Sequence, residues 1–455
     1  MRHVAVIDIG KSNAKLALVD LDALAEISVR KMPNRVLRDG PYPHYDVDAL
    51  WHFILDGLRE IGRERKVDAI SVTTHGATAA LVSDDGGLAL PVLDYEHDGP
   101  DTLRGEYEEV RPPFAETGSA SLPIGLNLGA QLFWQSRMFP EAFLRATGIL
   151  MYPQYWTYRL TGVLASEVTS LGCHTDLWNP EGGKFSSLVE RMGWGENFPP
   201  LRSARDILGP ILPEVAARTG LDPATPVLCG IHDSNASLFP HLLWREAPFS
   251  VVSTGTWVVS MAVGGAKVTL DPARDTLINV NALGDPVPSA RFMGGREHEI
   301  LTGGQGTEWA QSDLDTVLEN GIMLLPSVQT GCGPFPDSQS RWFATGEVSQ
   351  GERSVASAFY LAMMTATCLE LIGAKGDIVV EGPFAGNALY LEMLQAATGR
   401  PVPAQIGQAT GTSIGAALLA ERHQPSPPAQ TPRQSQADLR WKAYAEKWRR
   451  AVAGS

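Results

Sequence analysis

The chain has 455 residues, and its 37 Lys plus Arg against 51 Asp plus Glu give a formal net charge of −14 with 44% hydrophobic residues. That apolar fraction excludes disorder as the dominant state, and at roughly 150 residues per domain the length predicts two or three folding units. A strongly acidic chain whose Lys and Arg form no stripe has no field to hold a polyphosphate backbone, so nucleic acid is excluded as a general partner.

Four cysteines, Cys173, Cys229, Cys332 and Cys368, lie far apart without metal-ligand spacing. They read as buried, reduced thiols, the pattern of a cytoplasmic protein. The opening MRHVAVIDIG enters a strand directly, with no signal-peptide pattern. The most apolar long stretch, Val355 to Ile372, is broken by Ser357, Thr365, Thr367 and Glu370, so no membrane segment is expected.

In chain order, Val4 to Asp8 reads as a strand, Ile9 to Asn13 as a turn and Lys15 to Val19 as a second strand, together a hairpin with a polar tip. Ile27 to Met32 adds a third strand. Asp46 is placed to cap a helix in which Leu50, Phe53, Ile54, Leu58 and Ile61 recur at helical spacing. Ala69 to Thr74 is a strand ending at His75-Gly76. From about 95 to 225 the pattern is less regular, with helices near Ala130 to Met138 and Tyr155 to Thr161. A strand at Pro226 to Gly230 leads into His232-Asp233-Ser234. Phe249 to Ser253 and Thr256 to Met261 form a second hairpin around Thr254-Gly255. Val355 to Ile372 is a buried helix, followed by a strand at Asp377 to Glu381, a turn at Gly382 to Asn387 and a helix at Ala388 to Thr398. Gly411 to Gly415 opens a last domain helix, and Pro425 to Pro432 is a Pro-rich linker. Beyond it, Trp441, Tyr444 and Trp448 form a stripe that reads as a docking face onto the body, with a homodimer interface as the alternative.

Each half therefore opens with a hairpin whose tip is rich in Gly, Ser, Thr or Asn, presenting backbone N–H groups and hydroxyls that suit phosphate oxygens. Neither G-x-x-x-x-G-K-[ST] nor a strand followed by G-x-G-x-x-G is present. Any phosphate site belongs to another fold.

Asp8 to Lys15, His232-Asp233-Ser234, Ser253 to Trp257 and the Gly382 to Asn387 turn together resemble, in order and spacing, the FGGY carbohydrate kinases, with the rhamnulokinase and fuculokinase branch nearest in look. Tyr158 to Gly162 is similar to a run that family carries between its motifs. The resemblance covers about residues 3 to 420. It implies an α/β fold of two duplicated RNase H-like domains of the actin, hexokinase and heat-shock chaperone type, flanking a central cleft. The boundaries it suggests are 1–238 for the N-terminal domain, 239–425 for the nucleotide domain and 426–455 for linker and terminal helix. It implies a sugar kinase that uses ATP and Mg²⁺ on a small sugar or polyol. Carried over, it makes Asp233 the general base, Asp8 and Asp233 the Mg²⁺ ligands, and Gly10, Ser12, Asn13 and Lys15 the first phosphate loop. Thr254, Gly255 and Thr256 become the second loop, and Gly382 with Asn387 the adenosine side. A sugar hydroxyl titrates far above neutrality, so a carboxylate must take its proton as the bond to the γ-phosphoryl forms.

Plain structural readings stand beside these. Asp233 is a good helix N-cap, Asp8 a turn residue and Lys15 a solvated strand residue. On the sugar side, His75, Gly76, Glu96 and His97 fall where the family approaches its substrate, yet no Arg follows Asp94. Pro383 and Phe384 replace glycines of the adenosine turn, so the Phe ring is expected to stack on adenine or to block it. The charged run Gly294 to Glu299 has no account at this level. The expected acceptor is a ketose such as a 6-deoxyhexulose or pentulose. The competing functions are an actin- or chaperone-like ATPase switch and a family member that binds sugar without phosphorylating it.

Overall fold

The computed structural model describes residues 1–303, 308–403, 411–421 and 439–454. They form two compact units: Met1–Trp244 with Ile278–Pro286 and residues 411–421, and Arg245–Leu277 with 287–403 and 439–454. The expected linker at Pro425 to Pro432 lies outside the described residues.

The first unit is built on a seven-stranded sheet. Its order is Ile207–Pro210, Pro226–Leu228, Ala69–Thr74, His3–Ile9, Asn13–Asp20 and Ala25–Pro33, with Ile231–His232 also pairing to Ala69–Thr74. The opening hairpin runs antiparallel from Val4 against Val19 to Ile9 against Ala14. Ala69–Thr74 lies parallel to the first strand, Ile9 beside Thr74. Alternate residues of His3–Ile9 serve two buried faces, which is why this strand reads as an unbroken apolar run. Ala5, Ile7 and Ile9 pack with Leu50, Ile54, Leu58 and Ile61 of the helix Val47–Glu64. Asp46 caps that helix, its Oδ1 accepting the Ala49 N–H at 3.0 Å. Val4 and Val6 pack with Phe239, Ile414 and Leu418 of the helices Asp233–Trp244 and Thr412–Leu418. A Cβ on Gly415 would lie 1.7 Å from the Ala236 carbonyl oxygen, so only glycine lets these two helices cross this closely.

The irregular middle holds a three-stranded sheet, Leu88–Leu90, Ala79–Ser83 and Ala146–Met151, surrounded by short helices. Leu132, Phe133, Trp178 and Trp194 give it a core of its own.

The second unit repeats the logic. Phe249–Thr254 and Val258–Val263 form an antiparallel hairpin, Pro286–Phe292 extends it, and Asp377–Glu381 lies parallel to the first strand. The helix Gln350–Leu371 is the one helix among the described residues long and apolar enough to cross a membrane, but 83% of its apolar window is buried within the protein. It is the core helix of this unit, opened by a capping box between Ser349 and Glu352. Trp441, Tyr444 and Trp448 are buried against this core on the helix Leu439–Ala453, with Phe359 4.7 Å from Trp441. The aromatic stripe therefore docks within the chain.

Three details differ from the sequence reading. Cys332 is half-buried, whereas the other three cysteines are buried; all four are free thiols. Asp233 does not sit one residue before its helix as a cap would: the helix starts at Asp233, whose Oδ1 accepts the Ser234 N–H at 2.6 Å. The charged run Gly294 to Glu299 opens the helix Gly294–Thr302, and a Cβ on Gly295 would meet the Gly255 carbonyl oxygen at 2.0 Å. Gly295 is thus required by contact with the hairpin tip.

Candidate active site

Within the first unit, three parallel strand ends come into register. Asp8 lies beside Thr73, Ile231 beside Thr73 and His232 beside Thr74. The residues that follow, Gly10 to Asn13, His75-Gly76 and Asp233, therefore emerge from one edge of the sheet, where ligands of open α/β sheets bind.

Asp8 is nearly buried, and its Oδ2 lies 3.2 Å from Lys15 Nζ, which also reaches Glu26 Oε1 at 3.0 Å. Burial raises the Asp8 carboxyl to about 6 against the pull of Lys15, with the Asp233 charge adding to the rise. Lys15 is thus bonded into the site rather than solvated. At the tip, the Gly10 N–H donates to the Asn13 carbonyl at 2.9 Å, and Asn34 Nδ2 donates to the Gly10 carbonyl at 2.9 Å. Ser12 and Asn13 are exposed.

Asp233 Oδ1 gathers three groups: the Ser234 N–H, the Ser234 hydroxyl at 3.3 Å and His232 Nε2 at 3.2 Å. Among the described residues no donor reaches its Oδ2. His232 is buried, and its backbone N–H donates to Thr169 Oγ1 at 3.0 Å. Burial opposes its charge, but Cys173, Asp233 and Glu167 outweigh burial and lift it to about 9. Burial pushes the Cys173 thiol up, yet His174 and His232 hold it below its usual value. Glu167, fully buried, accepts from Thr169 N and Oγ1 at 3.0 and 2.5 Å, and burial raises it to about 7. Gly76 fits beneath His232: a Cβ there would lie 2.8 Å from His232 Nε2.

His75 is also buried, and burial lowers its imidazole to about 4, so it is neutral at physiological pH. Its Nδ1 lies 3.0 Å from the Gly76 carbonyl, an acceptor only, so the proton sits on Nδ1 and Nε2 carries a lone pair. That Nε2 is buried without a partner. Tyr45, Tyr95 and Tyr152 surround the ring at 5.2 to 5.3 Å.

The first hairpin tip supplies a residue the sequence did not suggest, and it meets the loop that carries Asp94 and Glu96. Lys11 Nζ bonds Asp94 Oδ1, lies 3.4 Å from Glu96 Oε2 and sits 5.2 and 5.0 Å from the ring centres of Tyr45 and Tyr95. Asp94 also accepts from Tyr45 OH and the Glu96 N–H. Glu96 thus joins the cluster, but His97 does not: its ring packs 5.2 Å from Trp134 and stacks on Tyr42.

In the second unit, Thr254 stitches the hairpin to the following turn, donating to the Glu381 carbonyl and accepting the Phe384 N–H at 3.1 Å. Gly255 and Thr256 are exposed at the tip. Gly382 has φ 79°, and a Cβ there would lie 2.0 Å from the Thr254 carbonyl oxygen. Asn387 caps the helix Ala388–Thr398 through Oδ1 and the Tyr390 N–H at 3.1 Å. Phe384 is buried between Tyr390 and His298, at 5.2 and 5.6 Å.

Among the described residues no three His, Cys, Asp or Glu side chains converge as a metal cage. The oxygen-only pair of Asp8 and Asp233, whose charges act on each other, fits a hard divalent cation that keeps most of its ligands as water or phosphate oxygens.

A hairpin with a parallel third strand, built twice and each time with a glycine-bearing tip, defines the actin/hexokinase-like RNase H fold. The chain belongs to the FGGY family of carbohydrate kinases: residues 3–240 match the family's N-terminal domain and residues 246–429 its C-terminal domain. A carbohydrate kinase from Novosphingobium aromaticivorans is similar over 100% of both chains, at 36% identity with a TM-score of 0.91. A ligand-bound xylulose kinase from Lactobacillus acidophilus shares the fold at 15% identity and a TM-score of 0.78, over 100% of this chain and 97% of that one. Among curated relatives, an L-fuculokinase of Salmonella typhi is 25% identical over 58% of this chain and 57% of its own length. A rhamnulokinase of Halalkalibacterium halodurans is 25% identical over 56% of this chain and 55% of its own. The chain thus spans a little over half the length of the curated relatives it matches.

Proposed function

We propose that the protein transfers the γ-phosphoryl group of ATP to a hydroxyl of a small ketose, such as a pentulose or 6-deoxyhexulose, with Asp233 as general base. The observation that carries this reading is the asymmetry of the Asp233 carboxylate: Oδ1 is bound by His232 and Ser234, while among the described residues no donor reaches Oδ2. A pinned carboxylate with one free oxygen is what proton acceptance from an alcohol needs, because the transfer gains from a base already aimed. The buried, unpaired lone pair of His75 Nε2 supports the same reading, since a sugar hydroxyl would satisfy it. The names of relatives that act on fuculose, rhamnulose and xylulose support a ketose.

Gly10, Ser12, Asn13 and Lys15 would face the transferred phosphate, with Thr254, Gly255, Thr256, Gly382 and Asn387 on the nucleotide. Asp8 and Asp233 would hold Mg²⁺ through water; when bound, the ion supplies neutralisation of charge building on the phosphoryl oxygens. Lys15 offsets the Asp8 charge, and the imidazolium of His232 keeps the base in one rotamer. A coupled assay of ADP release across pentuloses, 6-deoxyhexuloses, tetritols and glycerol tests the proposal. Release that needs a carbohydrate and falls by about 10²- to 10⁴-fold in Asp233→Asn supports it. Sugar-independent release, or an unaffected Asp233→Asn, overturns it.

A further inference from the structure

The ammonium of Lys11 is the cation that the sugar loop itself lacks. It arrives from the first hairpin tip, 83 residues before Asp94, and lies against two carboxylates and two aromatic faces. Asp94 is buried and carries three donors, so it is committed to the fold. Glu96 is different: its side chain is 60% exposed, and Lys11 is the charged partner it reaches.

Lys11 shares the Tyr45 and Tyr95 rings with His75, which carries the unpaired acceptor: both rings lie within 5.3 Å of the ammonium and of the imidazole, and the charges of Lys11, Asp233 and His232 act on that imidazole. Lys11 and the His232 imidazolium there face Asp94, Glu96 and Asp233, two positive charges against three negative ones. A carboxylate-bearing substrate would meet this surplus, and the Lys11 ammonium that could receive it is already engaged by Asp94 and Glu96. A neutral polyol meets no such repulsion and can use the same oxygens as acceptors for its hydroxyls.

We infer that Lys11 and Glu96 form a charge gate that makes the site select uncharged carbohydrates over sugar acids, and that Glu96 keeps a latent carboxylate site at Lys11 closed. This rests on the sugar-kinase reading above. It goes further by assigning the acceptor's charge class and the two side chains that set it. Neither the first hairpin's phosphate role nor the general base requires a lysine at position 11.

The experiment compares kcat/KM for the best neutral acceptor of the screen with that for the ulosonic or aldonic acid of the same carbon skeleton. It uses the full chain as wild type, Glu96→Gln, and Lys11→Met combined with Glu96→Gln. The wild type should favour the neutral sugar by at least about tenfold. Glu96→Gln should shift the ratio about tenfold toward the acid, and adding Lys11→Met should abolish the shift. The inference is overturned if the wild type accepts both equally, if Glu96→Gln turns over with an unchanged ratio, or if the shift survives without Lys11. Turnover of neither class by the wild type would instead remove the kinase reading itself, and the gate with it. Melting temperatures of the variants separate a changed preference from a damaged fold.

Discussion

His232 Nε2 lies 3.2 Å from Asp233 Oδ1, and Gly76 lies so close beneath the imidazole that a methyl group there would stand 2.8 Å from the same nitrogen. One glycine at a strand end therefore sets where the Asp233 carboxylate points. Gly76→Ala should tilt His232 away from Asp233 and lower kcat by about 10- to 100-fold with a smaller change in KM. Steady-state ADP-release kinetics check this. A loss confined to KM would separate Gly76 from the base.

Asp8 is a carboxylate held in a poor place for charge, raised to about 6 mainly by burial. Asp8→Asn removes that burden, so the variant should melt no lower than the wild type at pH 8. Its activity should nevertheless fall by about 10²-fold or more and need a higher Mg²⁺ concentration for half-maximal rate. Thermal melts and Mg²⁺ titrations of ADP release read the two effects apart.

Glu167 gives a pH dependence of defined sign. Its folded value, raised by burial to about 7, exceeds the ordinary 4.5, so the folded state binds its proton more tightly than the unfolded chain. The stability tied to neutral Glu167 is fully present below about 4.5 and is lost as pH rises through about 7. Glu167→Gln should remove this contribution, worth on the order of 3 kcal/mol across that window. Urea unfolding at pH 5 and pH 8 should show a smaller pH-dependent loss in the variant than in the wild type.

Gly382 has both a positive φ and a backbone carbonyl 2.0 Å from where its Cβ would be. Gly382→Ala should displace Thr254 and weaken ATP binding by calorimetry about tenfold or more, while lowering the melting temperature. An unchanged ATP affinity would dissociate this turn from the nucleotide.

Trp448 Nε1 donates to the Leu324 carbonyl at 2.8 Å from a fully buried ring. Trp448→Phe should cost about 1 to 3 kcal/mol through the unpaired carbonyl, and Trp448→Ala about 3 to 5 kcal/mol through the added cavity. Gel filtration of Trp448→Phe should match the wild type, because the ring is used within the chain.

The hairpins, the cap at Asp46 and the strand before His75 were legible because each is written in neighbouring residues: apolar alternation, turn residues, a capping side chain. The pairings that refine the site were not, because they join distant positions. Lys11 meets Asp94 across 83 residues, and His232 meets Thr169 across 63. Phe384 was ambiguous for a related reason. A ring in a turn has no period to declare its burial, and only Tyr390 and His298 around it decide the matter. The sequence also could not show that two adjacent residues of one loop face different ways, Glu96 toward Lys11 and His97 toward Trp134.

The crossing of Gly415 on Ala236 has an outcome during synthesis. The helix Thr412–Leu418 covers one side of the opening strand, yet it is translated after nearly all of the second unit. Val4 and Val6 therefore have only the helix Asp233–Trp244 to cover them on that side until residues 412–418 have been made. A nascent chain arrested before residue 411 would expose this seam to chaperones, and one released after residue 421 would not.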